Sequence, residues 1–370
     1  MLARPAGFME YALSLAELAL GYTSPNPAVG AVVVRDGIVV GLGHTQPPGS
    51  AHAEIMALQQ AGERARGSMM YVTLEPCCFQ GRTPPCTQAI IDAGVSEVHI
   101  ALIDPNPLVS GNGIKQLEEA GIKTFVGEDN KKSSEINEGY IKFITTGMPF
   151  VIAKFGMSLD GKIATQKGDS KWISNDESRK FVHSLRHKVD AIMVGANTVA
   201  IDDPQLTARG CTGRGGRTKL QPLRVIVDGR GRTSLTARIF GEPGKTLIAV
   251  AKPFDTRKAD DLRKAGAEVV ELAAENNIID LAGLLDVLGK RQTTSVLVEG
   301  GNGLFGSLFD SRLVNKVLAF VSPIIIGGDE SKSAVGGTGA NMVAEALRLN
   351  RVKIDIFDDD VLISGYLDNK

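Results

Sequence analysis

The hydrophobic and polar positions of the first 147 residues alternate between a helical and a strand-like period. A helical spacing over residues 7–20 is carried by Met9, Leu13, Ala16 and Leu20. Two apolar runs, 29–34 and 38–42, flank Asp36-Gly37 and predict a β-hairpin. Beyond them the pattern predicts helices at 53–61, 87–93, 113–120 and 131–144, and strands at 69–74, 98–103 and 123–126. Strands separated by helices in this way indicate a three-layer sandwich with a partly parallel sheet.

The rest of the chain repeats this alternation and predicts a second α/β domain. Strands are expected at 150–156, 191–195, 223–228, 246–251, 268–272 and 295–299, with further apolar runs at 316–321 and 361–366. Helices are expected at 176–187, 255–265, 278–290 and 303–310, and the glycine-rich residues 210–216 predict a flexible loop. Gly147 and Pro149 end a helix and begin an extended segment, so we place the domains at 1–147 and 148–370.

Length and charge agree with two domains of different character. The 370 residues exceed one ordinary domain, and 43% hydrophobic with 22% charged residues is typical of folded proteins. Residues 1–147 have 10 Lys and Arg against 15 Asp and Glu, a net charge of −5. Residues 148–370 have 31 against 27, a net charge of +4. No apolar run reaches membrane length, and Glu10 and Glu17 interrupt the apolar N-terminal stretch, so we expect a cytoplasmic enzyme without a membrane partner.

Three residues have the spacing of a catalytic zinc site. His52-Ala53-Glu54 enters a predicted helix, Cys77 follows a strand, and Cys86 precedes the next helix. His-x-Glu, Pro-Cys and a second Cys form the signature of zinc deaminases, although eight residues separate the cysteines here instead of two. Helix N-termini favour thiolates and anions at Cys86 and His52. We predict one zinc ion per chain on His52, Cys77 and Cys86, a fourth position for water, and Glu54 as proton shuttle.

Each piece of this pattern has a simpler interpretation when taken alone. A lone His-x-Glu is usually a solvated helix start, and two nearby cysteines are usually core residues. Cys78 could compete as a ligand, but adjacent cysteines rarely reach one ion, so we interpret it as a wall residue. Cys211 is remote from the cluster and incidental. Four cysteines in a chain of this length do not form a disulfide scaffold.

These residues, with others in the same order, resemble the bifunctional deaminase/reductase family of riboflavin biosynthesis. In the first domain the resemblance rests on residues 23–32 (TSPNPAVGAV), 52–54 (HAE), 73–77 (TLEPC), 81–86 (GRTPPC) and 104–107 (DPNP). In the second it rests on 154–161 (KFGMSLDG), 170–173 (SKWI), 202–207 (DDPQLT), 298–301 (VEGG) and 323–328 (PIIIGG). The match covers nearly the whole chain.

The resemblance implies a cytidine-deaminase-like α/β/α domain followed by a dihydrofolate-reductase-like α/β domain. The first would hydrolyse the 2-amino group of 2,5-diamino-6-ribosylamino-4(3H)-pyrimidinone 5′-phosphate. The second would reduce the ribosyl chain with NADPH and give 5-amino-6-(5-phosphoribitylamino)uracil. The partners implied are therefore small phosphorylated pyrimidines, and we also expect a homo-oligomer.

For the deaminase domain, the resemblance implies that Asn26 and His44 hold the pyrimidine. Without it, Asn26 would be interpreted as part of an Asn-Pro turn and His44 as a loop histidine. The family usually has Ser-His after the first zinc cysteine, where this chain has Cys78-Phe79. The missing imidazole removes one expected substrate contact but leaves the metal ligands intact.

For the reductase domain, the resemblance implies substrate contacts from Ser170, Arg186, Leu206, Arg209 and Glu299. It implies NADPH contacts from Gly156, Trp172, Thr198, Asp202, Gly301, Asn302, Gly303, Leu304, Phe305, Gly306 and Ser307. Arginine forks match phosphate groups, and a loop that opens a helix can bind a pyrophosphate through its amides. Asp202 is our choice for an acid near hydride transfer, with Lys154 as a second candidate. Taken alone, Arg186 would be an exposed helix residue and Trp172 a core residue.

Two other interpretations stay open at this point. A nucleic-acid base deaminase shares the zinc chemistry, but the first domain lacks the basic, aromatic groove such an enzyme needs, so no nucleic-acid partner is expected. Alternatively, the zinc is only structural and one domain has lost its activity. Phe79, and Gly229 where the family usually has serine near the cofactor, favour this second alternative. Glu54 opposes it, because a structural zinc site needs no proton shuttle.

Overall fold

The chain forms two compact units, Met1–Gly147 and Met148–Lys370. The computed structural model describes residues 7–81, 84–209, 221–276 and 278–368. The loop predicted at 210–216, which contains Cys211, lies outside the described residues. Within those ranges, no helix has both the length and the apolar character needed to cross a membrane.

A five-stranded sheet forms the centre of the first unit. Its strands are β1 (Gly30–Arg35), β2 (Ile38–His44), β3 (Met69–Val72), β4 (Glu97–Ile100) and β5 (Lys123–Val126), in the order β2-β1-β3-β4-β5. β1 is antiparallel to β2 and β3, whereas β3, β4 and β5 are parallel. The helices are α1 (Phe8–Ala19), α2 (Ala53–Ala61), α3 (Cys86–Asp92), α4 (Asn112–Glu119), α5 (Asn130–Ile136) and α6 (Glu138–Thr146). The predicted hairpin and the partly parallel sheet are confirmed.

Helices cover both faces of this sheet. In β1, Ala31 and Val33 belong to the core beneath α2, while Val32 and Val34 belong to the core beneath α1. A strand that is buried on both faces has no solvent-facing position, which accounts for its continuous apolar run. The three-layer α/β/α architecture predicted for this unit is therefore confirmed.

Two glycines of β2 allow α2 to approach the sheet closely. A Cβ added at Gly41 would lie 2.1 Å from the carbonyl oxygen of Ala57, and one added at Gly43 would lie 2.0 Å from that of Ala53. Both distances are far below van der Waals contact, so larger side chains would displace the helix. This close approach fixes the N-terminus of α2, where His52 lies.

The helix predicted over 131–144 is instead two helices that break at Asn137. The Asn137 side chain is buried, its Oδ1 accepts the Ala28 N–H at 2.8 Å, and its Nδ2 donates to the Ala28 carbonyl at 3.0 Å. Its backbone, with φ −103° and ψ 18°, departs from helical geometry. The prediction of one continuous helix was wrong, because Ala28 lies 109 residues from Asn137 and the local hydrophobic pattern gives no sign of this contact.

A nine-stranded sheet forms the centre of the second unit, in the order β10-β9-β8-β7-β13-β6-β14-β16-β15. In chain order the elements are β6 (Phe150–Ser158), α7 (Asp176–Arg186), β7 (Ala191–Gly195), α8 (Ala196–Asp202), β8 (Leu223–Val227), β9 (Thr246–Ala251), α9 (Thr256–Lys264), β10 (Ala267–Leu272), β11 (Ala274–Glu275), β12 (Ile278–Ile279), α10 (Leu281–Lys290), β13 (Ser295–Val298), α11 (Asn302–Asp310), β14 (Lys316–Ser322), β15 (Asn350–Phe357) and β16 (Asp360–Tyr366). The seven strands from β10 to β14 are parallel, and β16 is antiparallel to both β14 and β15.

The parallel arrangement brings the carboxyl ends of β6, β7, β8 and β13 to one edge of the sheet. Helix α8 follows β7 directly, and α11 begins four residues after β13 ends. Open α/β sheets bind their ligands at this edge, in the crevice outside the strand ends. The second predicted α/β domain is confirmed, and its ligand site is expected there.

Three local predictions for the second unit differ from the structure. The helix predicted from 278 begins at Leu281, because the Asp280 side chain caps it by accepting the Gly283 N–H at 3.0 Å. Helix α8 was not predicted as a separate element. Strand β15 was also missed, because it is exposed along nearly its whole length and has no buried face to set a pattern.

Candidate active sites

The first unit brings the three predicted metal ligands together. His52 is the N-cap of α2, Cys86 begins α3, and Cys77 lies between β3 and α3. Nδ1 of His52 is 3.6 Å from Sγ of Cys77 and 3.3 Å from Sγ of Cys86. All three ligand atoms lie within 4.8 Å of one another. Residues up to 34 positions apart in the chain thus form one cluster.

This donor set fits a zinc ion. Ligands at ordinary Zn–S and Zn–N bond lengths on a tetrahedral ion lie roughly 3.5–4 Å apart. The two sulfur–nitrogen distances of 3.6 and 3.3 Å are close to that value. Cys78 is outside the cluster, and its Sγ contacts the Leu108 carbonyl oxygen at 3.6 Å. Two thiols and one imidazole therefore supply three ligands and leave a fourth position open.

Cys77 carries the more acidic of the two thiols. Hydrogen bonds from Cys86 and His52 outweigh burial and lower the pKa of Cys77 to about 4. The hydrogen bond to the Cys77 sulfur and burial raise the pKa of Cys86 instead. Both sulfurs bind zinc as thiolates, so zinc binding must displace the proton of Cys86.

The predicted shuttle Glu54 is buried in the first turn of α2, with 4% of its surface exposed. Burial and the nearby charge of Cys77 raise its pKa to about 7, although His52 opposes the shift. A carboxyl group with this pKa is present in both protonation states near neutral pH. It can therefore accept a proton and return it within one reaction cycle.

A second buried carboxylate, Glu75, holds the loop that follows β4. Its Oε1 accepts the N–H groups of Gly113 and Ile114 at 2.9 and 3.2 Å. Its Oε2 accepts those of Asp104 and Gly111 at 3.2 and 3.0 Å. Four amide donors on one carboxylate fix this loop against the segment that carries Cys77.

Asn26 and His44 lie at the same end of the β1–β2 pair. Asn26 is in a turn whose N–H donates to the Thr23 carbonyl at 2.7 Å, four residues before β1. His44 ends β2 and pairs with Gly30. Because Gly43 lies against Ala53, His44 is next to the first turn of α2. Asn26 is thus a turn residue, as its simpler interpretation predicts. It also lies at the end of the β1–β2 pair that is next to α2 and its metal ligand His52.

The second unit contains a cavity of about 1250 Å³ at the expected edge of its sheet. The residues predicted for the reductase line it with one exception: Gly156, Ser170, Trp172, Arg186, Thr198, Asp202, Leu206, Arg209, Glu299, Gly301, Asn302, Gly303, Leu304, Phe305 and Ser307. The exception is Gly306, where an added Cβ would lie 2.4 Å from the backbone of Gly336 and Gly337. Gly306 therefore packs α11 against that backbone, and its predicted contact with the cofactor stays a prediction.

A buried group of three charges lies on the cavity wall. Nε and Nη2 of Arg186 donate to Oε1 and Oε2 of Glu299 at 2.6 and 2.9 Å, and Nη1 donates to the Thr207 carbonyl at 3.2 Å. The simpler interpretation of Arg186 as an exposed residue is wrong, because its side chain is 13% exposed. Burial lowers the pKa of Lys154, whereas the charge of Glu299 opposes the shift. Burial alone would raise the pKa of Glu299, but Arg186 and Lys154 lower it.

Trp172 is a cavity residue and not a core residue. It is 70% exposed, and the guanidinium of Arg179 lies 4.5 Å from its ring centre. Nearby, the Ser170 hydroxyl is 3.5 Å from Oδ1 of Asp202, and Nζ of Lys171 donates to the Asp202 carbonyl at 3.3 Å. The segment from Ser170 to Trp172 is thereby held to the end of α8.

The loop before α11 can bind a pyrophosphate. Gly301 has φ +85°, in the left-handed region that favours glycine, and a Cβ at Gly300 would lie 2.8 Å from Oγ1 of Thr198. The amides of the first helical turn have no partner inside the helix and carry its positive dipole end. Such a helix start is suited to an anionic group.

Sequence reasoning missed several residues of these sites. It assigned no role to Glu75 or to the arginines Arg230 and Arg232, which line the cavity just beyond β8. An Arg-Gly-Arg sequence directly after a predicted strand was the available signal for the arginines. The anchoring role of Glu75 had no such signal, because its four amide partners lie 29 to 39 residues away.

Comparisons with known proteins agree for both units. Residues 4–102 match the cytidine and deoxycytidylate deaminase zinc-binding region, and residues 149–363 match the RibD C-terminal domain. The riboflavin biosynthesis protein RibD of Aquifex aeolicus is 40% identical over 356 residues, or 96% of each chain. RibD of Escherichia coli is 39% identical over 331 residues, covering 87% of this chain and 88% of that protein.

Solved structures extend the likeness to the whole fold. RibD of Acinetobacter baumannii has a TM-score of 0.86 at 36% identity over 98% of both chains. The diaminohydroxyphosphoribosylaminopyrimidine deaminase/5-amino-6-(5-phosphoribosylamino)uracil reductase of Thermotoga maritima has a TM-score of 0.84 at 34% identity over 97% of both chains.

Fold and site together define a zinc-dependent deaminase unit joined to an NADPH-using reductase unit. The chain belongs to the RibD family and is a bifunctional deaminase and reductase of riboflavin biosynthesis. The resemblance stated from the sequence motifs is confirmed.

Proposed function

We propose that the first unit removes the 2-amino group of 2,5-diamino-6-ribosylamino-4(3H)-pyrimidinone 5′-phosphate by hydrolysis. The observation that carries this proposal is the cluster of His52, Cys77 and Cys86 with Glu54 buried two residues beyond the first ligand. Zinc held there supplies a water that is activated for attack at the ring carbon. A C–O bond then forms, the C–N bond breaks, and ammonia leaves.

Glu54 moves the protons of this reaction. Its carboxylate accepts a proton from the attacking water and delivers it to the departing amine, so that the leaving group is neutral ammonia. Asn26 and His44, at the end of the β1–β2 pair, contact the polar edge of the pyrimidine. Phe79, which is 37% exposed, presents an apolar ring where the family usually has an imidazole.

The second unit reduces the ribosyl chain of the deaminated product in its cavity. NADPH supplies the hydride, and the protein binds, orients and supplies a proton. The amides at the start of α11, with Thr198 beneath Gly300, hold the pyrophosphate. Gly156 and Trp172 lie at the end of the cavity formed by β6 and the segment after it, where the nicotinamide and the sugar meet.

The proton for the opened ribose has two candidate donors in the cavity. Lys154 is half-buried among the cavity charges, and burial lowers its pKa, so its ammonium is easier to deprotonate. Asp202 is held near Ser170 and Lys171 and orders that segment. We assign the proton to Lys154 and an orienting role to Asp202, which revises our first choice from the sequence.

The substrate phosphate is assigned to Arg209. The guanidinium of Arg186 already directs three N–H groups to Glu299 and Thr207. Arg209 is exposed and uses only Nε within the described residues, to Oγ1 of Thr207 at 3.1 Å. The fork of Arg209 is therefore open for a phosphate, whereas Arg186 orients Glu299 toward the sugar.

A stoichiometric assay tests the proposed function. Purified, zinc-loaded protein given the diamino substrate and NADPH should release one ammonia for each NADPH oxidised. Without NADPH, ammonia release should continue and the deaminated pyrimidine should accumulate. NADPH oxidation that precedes ammonia release, or ammonia release without bound zinc, would contradict the proposal.

We also propose that two copies of the chain associate along β15 in the cytoplasm. Val352, Ile354 and Ile356 are 51–72% exposed on one face of this edge strand. Antiparallel pairing of two copies about Lys353 would bring Arg351 of each against Asp355 of the other, which favours a second copy as the occupant. The three cysteines in the described ranges form no disulfide, as expected in a reducing compartment.

Sedimentation measurements test the association. Ile354→Glu should shift the protein to a monomer, because it places a charge in the apolar face of the strand. Ile38→Glu changes another exposed isoleucine, 66% exposed at the β1–β2 hairpin, and should leave the mass unchanged. A wild-type monomer would contradict the proposal.

A further inference from the structure

Residues 206–209, which we call the arm, carry Arg209 to the wall of the reductase cavity. The arm lies between α8 and β8 and belongs to no helix or strand. Leu206, Thr207 and Ala208 are buried, whereas Arg209 is exposed and lines the cavity. Because an unpaired carbonyl away from water is costly, a buried segment outside regular structure needs other partners for its backbone groups.

Side chains bind the first two carbonyl groups that follow Leu206. Nη1 of Arg186 donates to the Thr207 carbonyl at 3.2 Å. Nε2 of Gln221 donates to the Ala208 carbonyl at 3.3 Å, and Oε1 of Gln221 accepts the Ala208 N–H at 2.9 Å. The end of α7 and the residues just before β8 therefore hold the arm from two directions.

His187 binds the last carbonyl of the arm, which belongs to Arg209. Its Nε2 lies 3.3 Å from the Arg209 carbonyl oxygen, and a carbonyl oxygen only accepts, so Nε2 is the donor. His187 is the C-cap of α7, is 7% exposed and does not line the cavity. The Arg209 side chain has its own anchor, because its Nε donates to Oγ1 of Thr207 at 3.1 Å. His187 thus holds the backbone of Arg209, and Thr207 holds its side chain.

The arm begins at a residue with an unfavourable backbone conformation. Leu206 has φ +50°, in the left-handed region that leucine rarely adopts. Such a conformation persists only where the surrounding contacts maintain it. The side chains that bind residues 207–209 supply those contacts, so the arm is ordered before substrate arrives. A guanidinium that is already ordered loses less conformational entropy when it binds a phosphate.

We propose that His187 is a positioning residue for the substrate phosphate, because its hydrogen bond to the Arg209 carbonyl keeps the Arg209 guanidinium ordered at the cavity wall. This inference rests on the proposed assignment of that phosphate to Arg209. His187 lies outside the cavity lining and acts only through Arg209. Without the hydrogen bond, Arg209 populates other positions, and the substrate must select the competent one. The loss therefore falls on substrate binding and not on hydride transfer.

Reductase kinetics with the deaminated pyrimidine, with and without its 5′-phosphate, test this role. His187→Leu should raise the KM of the phosphorylated form about 5- to 10-fold and change kcat less than about 2-fold. The kcat/KM of the dephosphorylated form should change less than about 2-fold. His187→Gln should restore the wild-type KM, because the glutamine Nε2 can donate to the same carbonyl. If leucine unfolds the unit, His187→Asn provides the same test, because its amide is too short to reach that carbonyl.

A control variant removes a hydrogen bond from the same helix without touching the arm. The Ser184 hydroxyl donates to the Phe181 carbonyl at 2.7 Å, and neither residue lines the cavity. Ser184→Ala should therefore keep the wild-type KM and kcat for both forms of the substrate. Thermal melting of every variant shows whether a kinetic change accompanies a loss of folded protein.

The outcomes separate this inference from the proposed function. Arg209→Ala should also act on the phosphorylated form alone; an equal loss with both forms overturns the phosphate assignment and this inference with it. If Arg209→Ala is selective but His187→Leu is not, or if His187→Gln does not restore KM, the assignment stands and the role of His187 is overturned. A lower kcat at unchanged KM in His187→Leu indicates a merely structural role and also overturns it. Wild-type protein that reduces neither form overturns the proposed reductase.

Discussion

Arg186 and Glu299 form a bidentate ion pair on the wall of the reductase cavity, with N–O distances of 2.6 and 2.9 Å and side chains 13% and 6% exposed. The pair joins the last residue of α7 to the residue after β13, 113 positions away. Because both oxygens of Glu299 accept from one planar guanidinium, the carboxylate is held in a single orientation beside Lys154. Arg186 is therefore a positioning residue for Glu299.

Arg186→Lys should lower the kcat of NADPH oxidation about 10-fold or more, because lysine keeps the charge but cannot hold both oxygens. Ammonia release should stay at the wild-type rate, since the two reactions use separate units. Initial rates with the deaminated substrate, separated into kcat and KM, provide the measurement. A rise in KM with unchanged kcat would instead show that Arg186 only binds substrate. Arg263→Lys, which makes the same substitution at an exposed residue of α9 outside the cavity, is the control.

Removal of the metal should abolish the deaminase activity and leave the reductase activity unchanged. Dialysis against a strong chelator, or the substitution Cys86→Ser, should remove zinc and abolish ammonia release while NADPH oxidation with the deaminated substrate continues. Metal analysis and the two assays on the same sample provide the readouts. Cys78→Ser should keep the full zinc content, because the Cys78 sulfur lies outside the ligand cluster. Loss of zinc in Cys78→Ser with retention in Cys86→Ser would refute this ligand set.

Asp104 should make the stability of the first unit depend on pH. Burial raises its pKa from 3.8 to about 6, despite hydrogen bonds from the Asn106 N–H and the Tyr140 hydroxyl. A folded-state pKa above the unfolded value gives stability that is fully present below about pH 4 and is lost as the pH rises through about 6. The loss should amount to about 3 kcal/mol.

The variant Asp104→Asn isolates this contribution. Calorimetric melting of the zinc-loaded protein at pH 5 and pH 8 should show a larger loss of stability for the wild type than for Asp104→Asn. Other titrating groups near the cluster remain in both proteins and cancel in the comparison. Equal pH dependence of the two proteins would exclude Asp104 as the source.

Glu75→Gln should loosen the loop that follows β4. The amide NH₂ of glutamine would face two of the four backbone N–H groups that the carboxylate now accepts, so two hydrogen bonds are lost. We expect a destabilisation of about 3 kcal/mol and faster hydrogen exchange at Gly111, Gly113 and Ile114. Glu119→Gln, an exposed residue of α4 with a long surface ion pair, should change stability by less than about 0.5 kcal/mol. Unchanged exchange in Glu75→Gln would show that other contacts hold the loop.

Local sequence patterns were sufficient to predict an element where neighbouring residues determine its structure. The Asp36-Gly37 turn predicted the β1–β2 hairpin, and the apolar spacing around Leu13 predicted α1. Local patterns failed where contacts with distant parts of the chain determine the structure. Asn137 interrupts a helical pattern in order to bond with Ala28, and β15 has no buried face that would mark it as a strand.

The same distinction applies to the sites. The His-x-Glu and Pro-Cys motifs predicted a cluster that the structure assembles, because each ligand stands at a helix start or after a strand. The pairing of Arg186 with Glu299 was not predictable, since nothing near either residue indicates the other. The packing of Gly306 against Gly336 and Gly337 was not predictable, because a glycine in a cofactor-like loop gives no local sign of a distant packing partner.

Ammonia release by Glu54→Gln, measured together with zinc content and NADPH oxidation, tests the central claim most directly. The variant should retain about one zinc per chain and release no detectable ammonia from the diamino substrate, because glutamine cannot carry the proton. NADPH oxidation should fail with that substrate and return fully when the deaminated pyrimidine is supplied. Glu63→Gln, an exposed residue just after α2, should behave as wild type. Ammonia release that survives in Glu54→Gln, or NADPH oxidation that the deaminated pyrimidine does not restore, would contradict the account.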